Sequence, residues 1–391
     1  MPDGIASGTP ASTPHRAFAV AGRRPGMDER VREHARTLVD WSARIESGDD
    51  VVVQVGEGAH DLAVAVAAEL GERDANMVTT YSSDEVSRAY LRAHGGEFDP
   101  DPAYELSLYE NADSVLSLRA DRNATAMADV PGERSRAASR ARQGIREARL
   151  ATDWVSTVHP TRSMAQAAGM SYEAYRDFVY DAILRDWEAL AEEMARLKEL
   201  LDDGDTVRLQ KAGGPVETDL TMSIAGRTAV NSAASVAYDS HNLPSGEVFT
   251  APYDTEGDVH FDVPLTLEGT RVRGVTLSFE RGEVVDWDAS EGDDALESVL
   301  TTDEGARRLG ELGIGMNRGI DRFTDSVLFD EKMGDTVHLA VGRAYESCLP
   351  PGETGNDSAV HVDLITDVSE DASLTVDGEV VQRNGRFRWE E

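Results

Sequence analysis

Up to residue 197 the apolar positions alternate between short uninterrupted runs and stretches of helical period. The spacing predicts helices over 31–44, 62–70, 87–93 and 132–150, the last rich in arginine, and strands over 51–55, 77–81, 114–118 and 154–158. The run at 51–55 is apolar throughout and bounded by Asp and Gly, as in a strand buried on both faces. Strands separated by helices favour βαβ units, so the first half is predicted to be a doubly wound, Rossmann-like α/β domain. It ends in Tyr175, Val179, Ile183, Trp187, Leu190, Met194 and Leu197, whose spacing predicts one long amphipathic helix.

Past Asp202-Asp203-Gly204-Asp205 the period becomes two. Val259, Phe261, Val263 and Leu265 alternate with polar residues, as do Val275, Leu277 and Phe279, and Arg281-Gly282 is placed to turn the chain into Val284 and Val285. The expectation is an α/β domain over 27–203 and an α+β, sheet-rich domain over 204–391, preceded by a disordered tail over 1–26, where no period is visible. Met27 opens the patterned part and is a candidate translation start, which an intact mass beginning at Met1 or Pro2 would exclude.

Charge narrows the range of partners. The 391 residues carry 73 Asp plus Glu against 38 Lys plus Arg, a net charge of −35, and the only lysines are Lys198, Lys211 and Lys332. Counterion release requires clustered cations, so neither a nucleic acid nor an anionic membrane surface is expected as a partner. The composition fits adaptation to high salt, where a Debye length of roughly 3 Å at 1 M screens the self-repulsion. With 40% hydrophobic residues the chain is expected to be globular, and no segment reaches the ~18 apolar residues of a membrane helix. The single Cys348 excludes an internal disulfide, and with no export signal visible a cytoplasmic protein is expected.

One glycine motif in the first half, Gly56-Glu57-Gly58, lacks the third glycine of a dinucleotide fingerprint, Asp61 standing there, and Glu57 puts a negative charge where a pyrophosphate would sit. A tight strand-to-helix turn is the better reading. The second half concentrates the unusual residues. Glu247 follows a Pro/Gly turn, Glu311 lies among three glycines, and His338, His361 and Asp363 follow. Each taken singly is weak, since a lone Glu in an acidic chain is usually solvated and a lone His usually structural. Together they form a carboxylate and imidazole set suited to Zn²⁺, Co²⁺ or Mn²⁺. His361 and Asp363, two apart, share a face if they lie on a strand, and the excess of carboxylates suits a site for two divalent cations, one carboxylate bridging them.

The segments NLPSGEVFTAP (242–252), GELGIGMN (310–317), LFDEKMGDTVHLAVGRAY (328–345), GNDSAVHVD (355–363) and DGEVVQRNGRF (377–387), in that order, resemble the aminopeptidase T family of dinuclear metallo-aminopeptidases. The resemblance extends from 27 to 387, with its specific motifs in the second half. It implies metal ligands at Glu247, Glu311, His338, His361 and Asp363, two divalent ions (Zn, Co, Mn or Mg), an active-site tyrosine at Tyr345, short peptides as substrates and a homodimer. It also suggests Glu331 as a further ligand, against the alternative of a structural salt bridge from Glu331 to a neighbouring Arg or to Lys332. Two departures, a short loop over 346–356 containing Cys348 and Val362 in place of a bulky aromatic, bear on substrate preference.

The implied reaction is hydrolysis of the first peptide bond by a metal-activated water, with Tyr345 donating to the oxyanion and Glu311 or Glu247 shuttling a proton. Two other readings of the same residues are a two-metal phosphoesterase, which needs free Arg or Lys to hold phosphate, and a non-catalytic metal-binding paralogue.

Overall fold

The computed structural model describes residues 27–267 and 269–390; the tail expected over 1–26 lies outside the described residues. The fold is mixed α/β, with one parallel and two antiparallel sheets. The parallel sheet is formed by β1 (Asp50–Gly56), β2 (Asn76–Ser82), β3 (Ser114–Arg119), β4 (Asp153–Val158) and the short β8 (Asn242–Leu243), in the order β2-β1-β3-β4-β8. Val51 and Val53 face a core shared with α2 (His60–Glu72). Val52, pointing the other way, packs with residues of α4 (Ala103–Glu110) and α6 (Gln143–Leu150). Helices on both faces explain why this strand reads as a continuous apolar run.

The other helices before residue 203 are α1 (Glu29–Arg36), continued as a π-helical segment Thr37–Ser42, α3 (Asp84–Ala93), α5 (Gly132–Arg140), α7 (Arg162–Ala167), α8 (Tyr172–Ile183) and α9 (Trp187–Asp202). Two expectations are corrected here. The arginine-rich stretch over 132–150 is two helices, α5 and α6. The apolar stripe from Tyr175 to Leu197 is also carried by two helices, because Leu184 leaves helical geometry at ψ 58° and the Asp186 carboxylate accepts a hydrogen bond from Ala189 N to start α9 afresh. A stripe preserved across a break looks continuous in sequence. Short α4 and α7 carry too few periodic positions to be predicted.

The nine-stranded antiparallel sheet runs β11 (Leu265–Leu267), β12 (Thr270–Glu280), β10 (Tyr253–Phe261), β6 (Thr218–Ser223), β5 (Thr206–Lys211), β17 (Ala372–Val376), β18 (Glu379–Arg383) and β19 (Arg386–Phe387), with β13 (Glu283–Glu291) also paired to β12. Arg281 and Gly282 both adopt positive φ (51° and 76°) in the β12–β13 hairpin, as a two-residue turn of this hand requires. The third sheet, five-stranded, has the order β16 (His361–Asp367), β15 (Thr336–Gly342), β14 (Leu309–Gly315), β9 (Glu247–Thr250), β7 (Val230–Ser232). Two short helices, α10 (Asp293–Leu300) and α11 (Val327–Asp330), complete this half. On one face of the third sheet Val248, Leu312, Ile314, Leu339 and Leu364 are buried in the main core together with Leu190, Met194 and Leu197 of α9. The opposite face carries the chemistry.

Candidate metal centre

Four strands of the five-stranded sheet supply the five predicted donors. Glu311 of β14, Ala340 of β15 and Asp363 of β16 are register partners in one row; His338 is paired with Gly313 one step away, and His361 with Gly342 on the other side. Glu247, the first residue of β9, is opposite Gly315. All five side chains therefore lie on one face, and the register partners between them are glycine or alanine.

Those small residues make the space. A Cβ at Gly313 would lie 2.0 Å from Cε1 and Nε2 of His338, so only glycine admits the imidazole across β14. A bulge sets the direction of Glu311. Leu309 pairs with Val341 and Glu311 with Ala340, leaving Gly310 as the extra residue. Without it, Glu311 would point the same way as Leu309, into the core; with it, the carboxylate turns to the donor face.

The donors converge in two groups that share one carboxylate: Glu247, Glu311 and His338 in the first, Glu311, His361 and Asp363 in the second, with ligand atoms within 4.8 Å of one another. Glu311 Oε1 is 3.1 Å from His338 Nε2 and Glu311 Oε2 is 3.4 Å from His361 Nε2. His338 Nε2 is also 3.7 Å from Glu247 Oε2, and His361 Nε2 is 3.5 Å from Asp363 Oδ1. The Arg343 carbonyl, 2.8 Å from His361 Nδ1, can only accept, so the proton sits on Nδ1 of the neutral ring and the Nε2 lone pair faces the carboxylates. Glu247 Oε2 is buried with no hydrogen-bond partner among the described residues. An orphaned carboxylate oxygen beside an imidazole and a second carboxylate fits a divalent cation.

Charge perturbation follows from the crowding. Burial alone would depress the histidines, but hydrogen bonds to Glu311 and Asp363 overcome it and push His361 up to about 11; Glu311 and Glu247 push His338 up to about 9. Burial would raise Glu311 and Asp363, yet the histidines hold both below the usual carboxylate range.

Glu331 lies outside both converging groups. Its carboxylate contacts Lys332, and burial pushes it up to about 8. The Lys332 ammonium, 1% exposed, also lies 3.3 Å from Glu247 Oε1, leaving Oε2 for the donor face. Tyr345 stands at the rim, about half exposed, its ring 4.9 Å from that of His361. Its phenol is held protonated by burial and by the Glu311 and Asp363 charges. The two departures noted in the sequence fall close by. Cys348 is buried with Val230 and Ala251, and Val362 packs against the main core.

Asn317 was not legible as a site residue. It is fully buried, donates to the carbonyls of Ala182 and Ser245, and accepts from Gly319 N, while Met316 N donates to Gly246 O. Gly246, at φ 114°, packs against it. These bonds fasten the turn that delivers Glu247. The cue in sequence was an uncharged amide two residues past a glycine-rich strand, too common to single out.

A mixed α/β chain whose sheet face gathers two imidazoles and three carboxylates defines a metal-dependent hydrolase, and the matching family is the thermophilic metalloproteases (M29), to which the chain belongs through residues 27–387. Its activity is that of a metal-dependent aminopeptidase. It is 30% identical to aminopeptidase T of Thermus thermophilus (88% of this chain, 93% of that one) and 27% identical to aminopeptidase 2 of Geobacillus stearothermophilus (93% and 98%). The solved structure of wild-type AmpT from Thermus thermophilus superposes with a TM-score of 0.79 at 27% identity, covering 92% of this chain and 99% of that one. Of the four cations near these motifs, Arg318 is paired with Asp335 and Glu390, Arg322 with Asp321 and Lys332 with two glutamates, which leaves a phosphoesterase only the exposed Arg343 without an ion pair among the described residues.

Proposed function

We propose that the five-stranded sheet holds two divalent cations, one between Glu247, Glu311 and His338 and one between Glu311, His361 and Asp363, and that the protein removes N-terminal residues from short peptides there. The observation that carries this reading is the division of Glu311, one oxygen facing each histidine. When bound, the cations supply Lewis acidity and lower the pKa of a shared water toward ~7.

The chain's own residues do the rest. Lys332 fixes Glu247 Oε1 and Glu331 and keeps their charges compensated in a dry site. Glu331 enters the site through that lysine. The Tyr345 hydroxyl, protonated over the working pH range, donates to the oxyanion that develops on the scissile carbonyl. Glu247 Oε2 or Glu311 accepts the proton destined for the leaving amine. Residues 204–391 act as the catalytic domain, and residues 27–203 as a doubly wound, Rossmann-like supporting domain. A cytoplasmic homodimer working in high salt is supported by the resemblance, the single cysteine and the net charge. The choice among Zn, Co, Mn and Mg rests with the donor set, which accepts several ions.

The test is turnover of aminoacyl p-nitroanilides after chelation and reloading, with metal content measured on the same sample. Two ions per chain and turnover lost in Glu311→Ala are expected; one ion per chain, or turnover surviving that change, would sink the reading.

A further inference from the structure

A second concave site lies on the parallel sheet, lined by none of the five converging donors. Its volume is about 900 Å³. The floor is a single row across all five strands: Thr80, Gln54, Ser117, Ser156 and Asn242 are successive register partners on β2, β1, β3, β4 and β8. One step toward the strand starts, on the same face, the row is Val78, Val52, Val115 and Trp154, of which Val52, Val115 and Trp154 pack with residues of α4 and α6 while Val78 on the edge strand is exposed. A parallel sheet between helices is expected to be apolar on both faces. Here one face changes from apolar to entirely polar where the helical cover stops.

The polar row is ordered. Ser117 Oγ donates to Gln54 Oε1 (2.5 Å), and Gln54 Nε2 donates to the Tyr109 hydroxyl (2.7 Å). The Ser156 hydroxyl and Asn242 amide make no side-chain hydrogen bond among the described residues, so each keeps its capacity toward the groove. The place is also topologically marked. The chain runs outward from β1 to β2 and then to β3 on the other side, and the crevice outside the strand ends at such a reversal is where open α/β sheets hold ligands.

Charge selects the ligand class. Arg149, half-buried and stacked over Trp154 at 5.4 Å, has no carboxylate partner among the described residues, in a chain with nearly twice as many acids as bases. Asp84 and Asp121, which line the same groove, have no ion-pair partner among the described residues, and burial with its acidic neighbours raises Asp84. A dinucleotide is excluded, as Glu57 occupies the phosphate position. Arg119 and Glu85 also line the groove without an ion pair among the described residues, so unpaired groups of both signs stand over a hydroxyl and amide floor and complement a molecule carrying a carboxylate and an ammonium.

We propose that this groove is a second, non-catalytic binding site for zwitterionic amino acids or short peptides, the ligand carboxylate meeting Arg149 and its ammonium meeting Asp84 and Asp121. The test is calorimetric titration of the metal-loaded protein with L-leucine and N-acetyl-L-leucine, and of the Glu311→Gln variant with the dipeptide Leu-Gly. Leucine is expected to bind to wild type and to Glu311→Gln alike, about tenfold or more weaker to Arg149→Ala, the scale of one charge-assisted hydrogen bond, and not at all to Ser156→Leu, which fills the floor. Circular dichroism and unchanged anilide turnover establish that these two variants are folded. Tighter binding of Leu-Gly than of leucine would identify peptide as the source, and the reverse, free amino acid. Equal binding of N-acetyl-L-leucine would remove the ammonium requirement and overturn the zwitterion assignment. Leucine binding indifferent to Arg149→Ala and Ser156→Leu, or lost in Glu311→Gln, would place it at the metal centre and overturn the site.

Discussion

Gly313 lies directly beneath the imidazole of His338: a single added carbon would come within 2.0 Å of its Cε1 and Nε2. The relationship is one of exclusion, since a strand position normally filled by a side chain is emptied so that a ring from the neighbouring strand can cross it. Gly313→Ala should therefore displace the ring while leaving strand pairing intact. Metal affinity is expected to fall by roughly 10–100-fold, the scale on which loss of ligand orientation acts. Calorimetric titration with Zn²⁺ or Co²⁺ reads this directly; wild-type affinity would show that His338 is not a ligand.

Tyr345→Phe separates transition-state stabilisation from binding. The ring contacts with His361 and Phe249 survive the change, so metal content and KM should stay near wild type. kcat should drop by about 10²–10³, as for other single oxyanion donors. A variant retaining full kcat would reduce Tyr345 to a wall of the cavity.

Lys332→Met removes the cation between two buried carboxylates. Breaking a buried pair on one side costs about 3–5 kcal/mol, to be read by denaturant unfolding of the metal-free protein. The pH dependence has a definite sign. Glu331 is raised to about 8 from an unfolded value near 4.5, so its protonated form favours the fold and that advantage is lost as pH rises from about 4.5 to about 8. Lys332 holds that folded value down, so in the variant it rises further; the variant's deficit should be flat below about pH 8 and grow above it, where wild-type Glu331 ionises beside the ammonium, and a deficit still flat above about pH 8 would contradict the assignment.

Metal binding should release protons. His338 at about 9 and His361 at about 11 are both charged at pH 7 in the metal-free protein, whereas a ligand imidazole must be neutral. In that state their contribution to stability is complete below the ordinary histidine value and is lost as pH rises through about 9 and about 11. Titration with metal at pH 7 in buffers of different ionisation enthalpy should report up to two protons released per chain. Zero release would mean that the histidines do not ligate.

Salt should matter because the charge is large and mostly exposed. Thermal midpoint and activity are both expected to rise from dilute buffer to molar KCl, as screening relieves the repulsion of 35 uncompensated charges. A flat response in both would remove the high-salt reading.

Much of the site was legible because strands carry information at period two. His361 and Asp363 could be placed on one face from spacing alone, and the Arg281-Gly282 hairpin from turn chemistry. Glu247 and Glu311 stood out through the glycines around them, although why the glycines were needed did not. The stripe from Tyr175 to Leu197 misled, since a helix break that keeps its phase leaves no mark on the periodicity. Lys332 was visible only as a possible partner for Glu331; its second contact, with Glu247, depends on residues far apart in sequence.

The sequence by itself determined which residue types were present and how local segments would pair or coil: a helix-and-strand first half, a strand-rich second half and a donor set of mixed carboxylates and imidazoles. Tertiary structure decided which way those donors face. Leu309 and Glu311, two apart on one strand, should point alike; the bulge at Gly310 sends one into the core and the other to the site. The row from Thr80 to Asn242 likewise exists only across five strands drawn from both halves of the chain. Neither is written in any local pattern, because register is set by the pairing of strands distant in sequence.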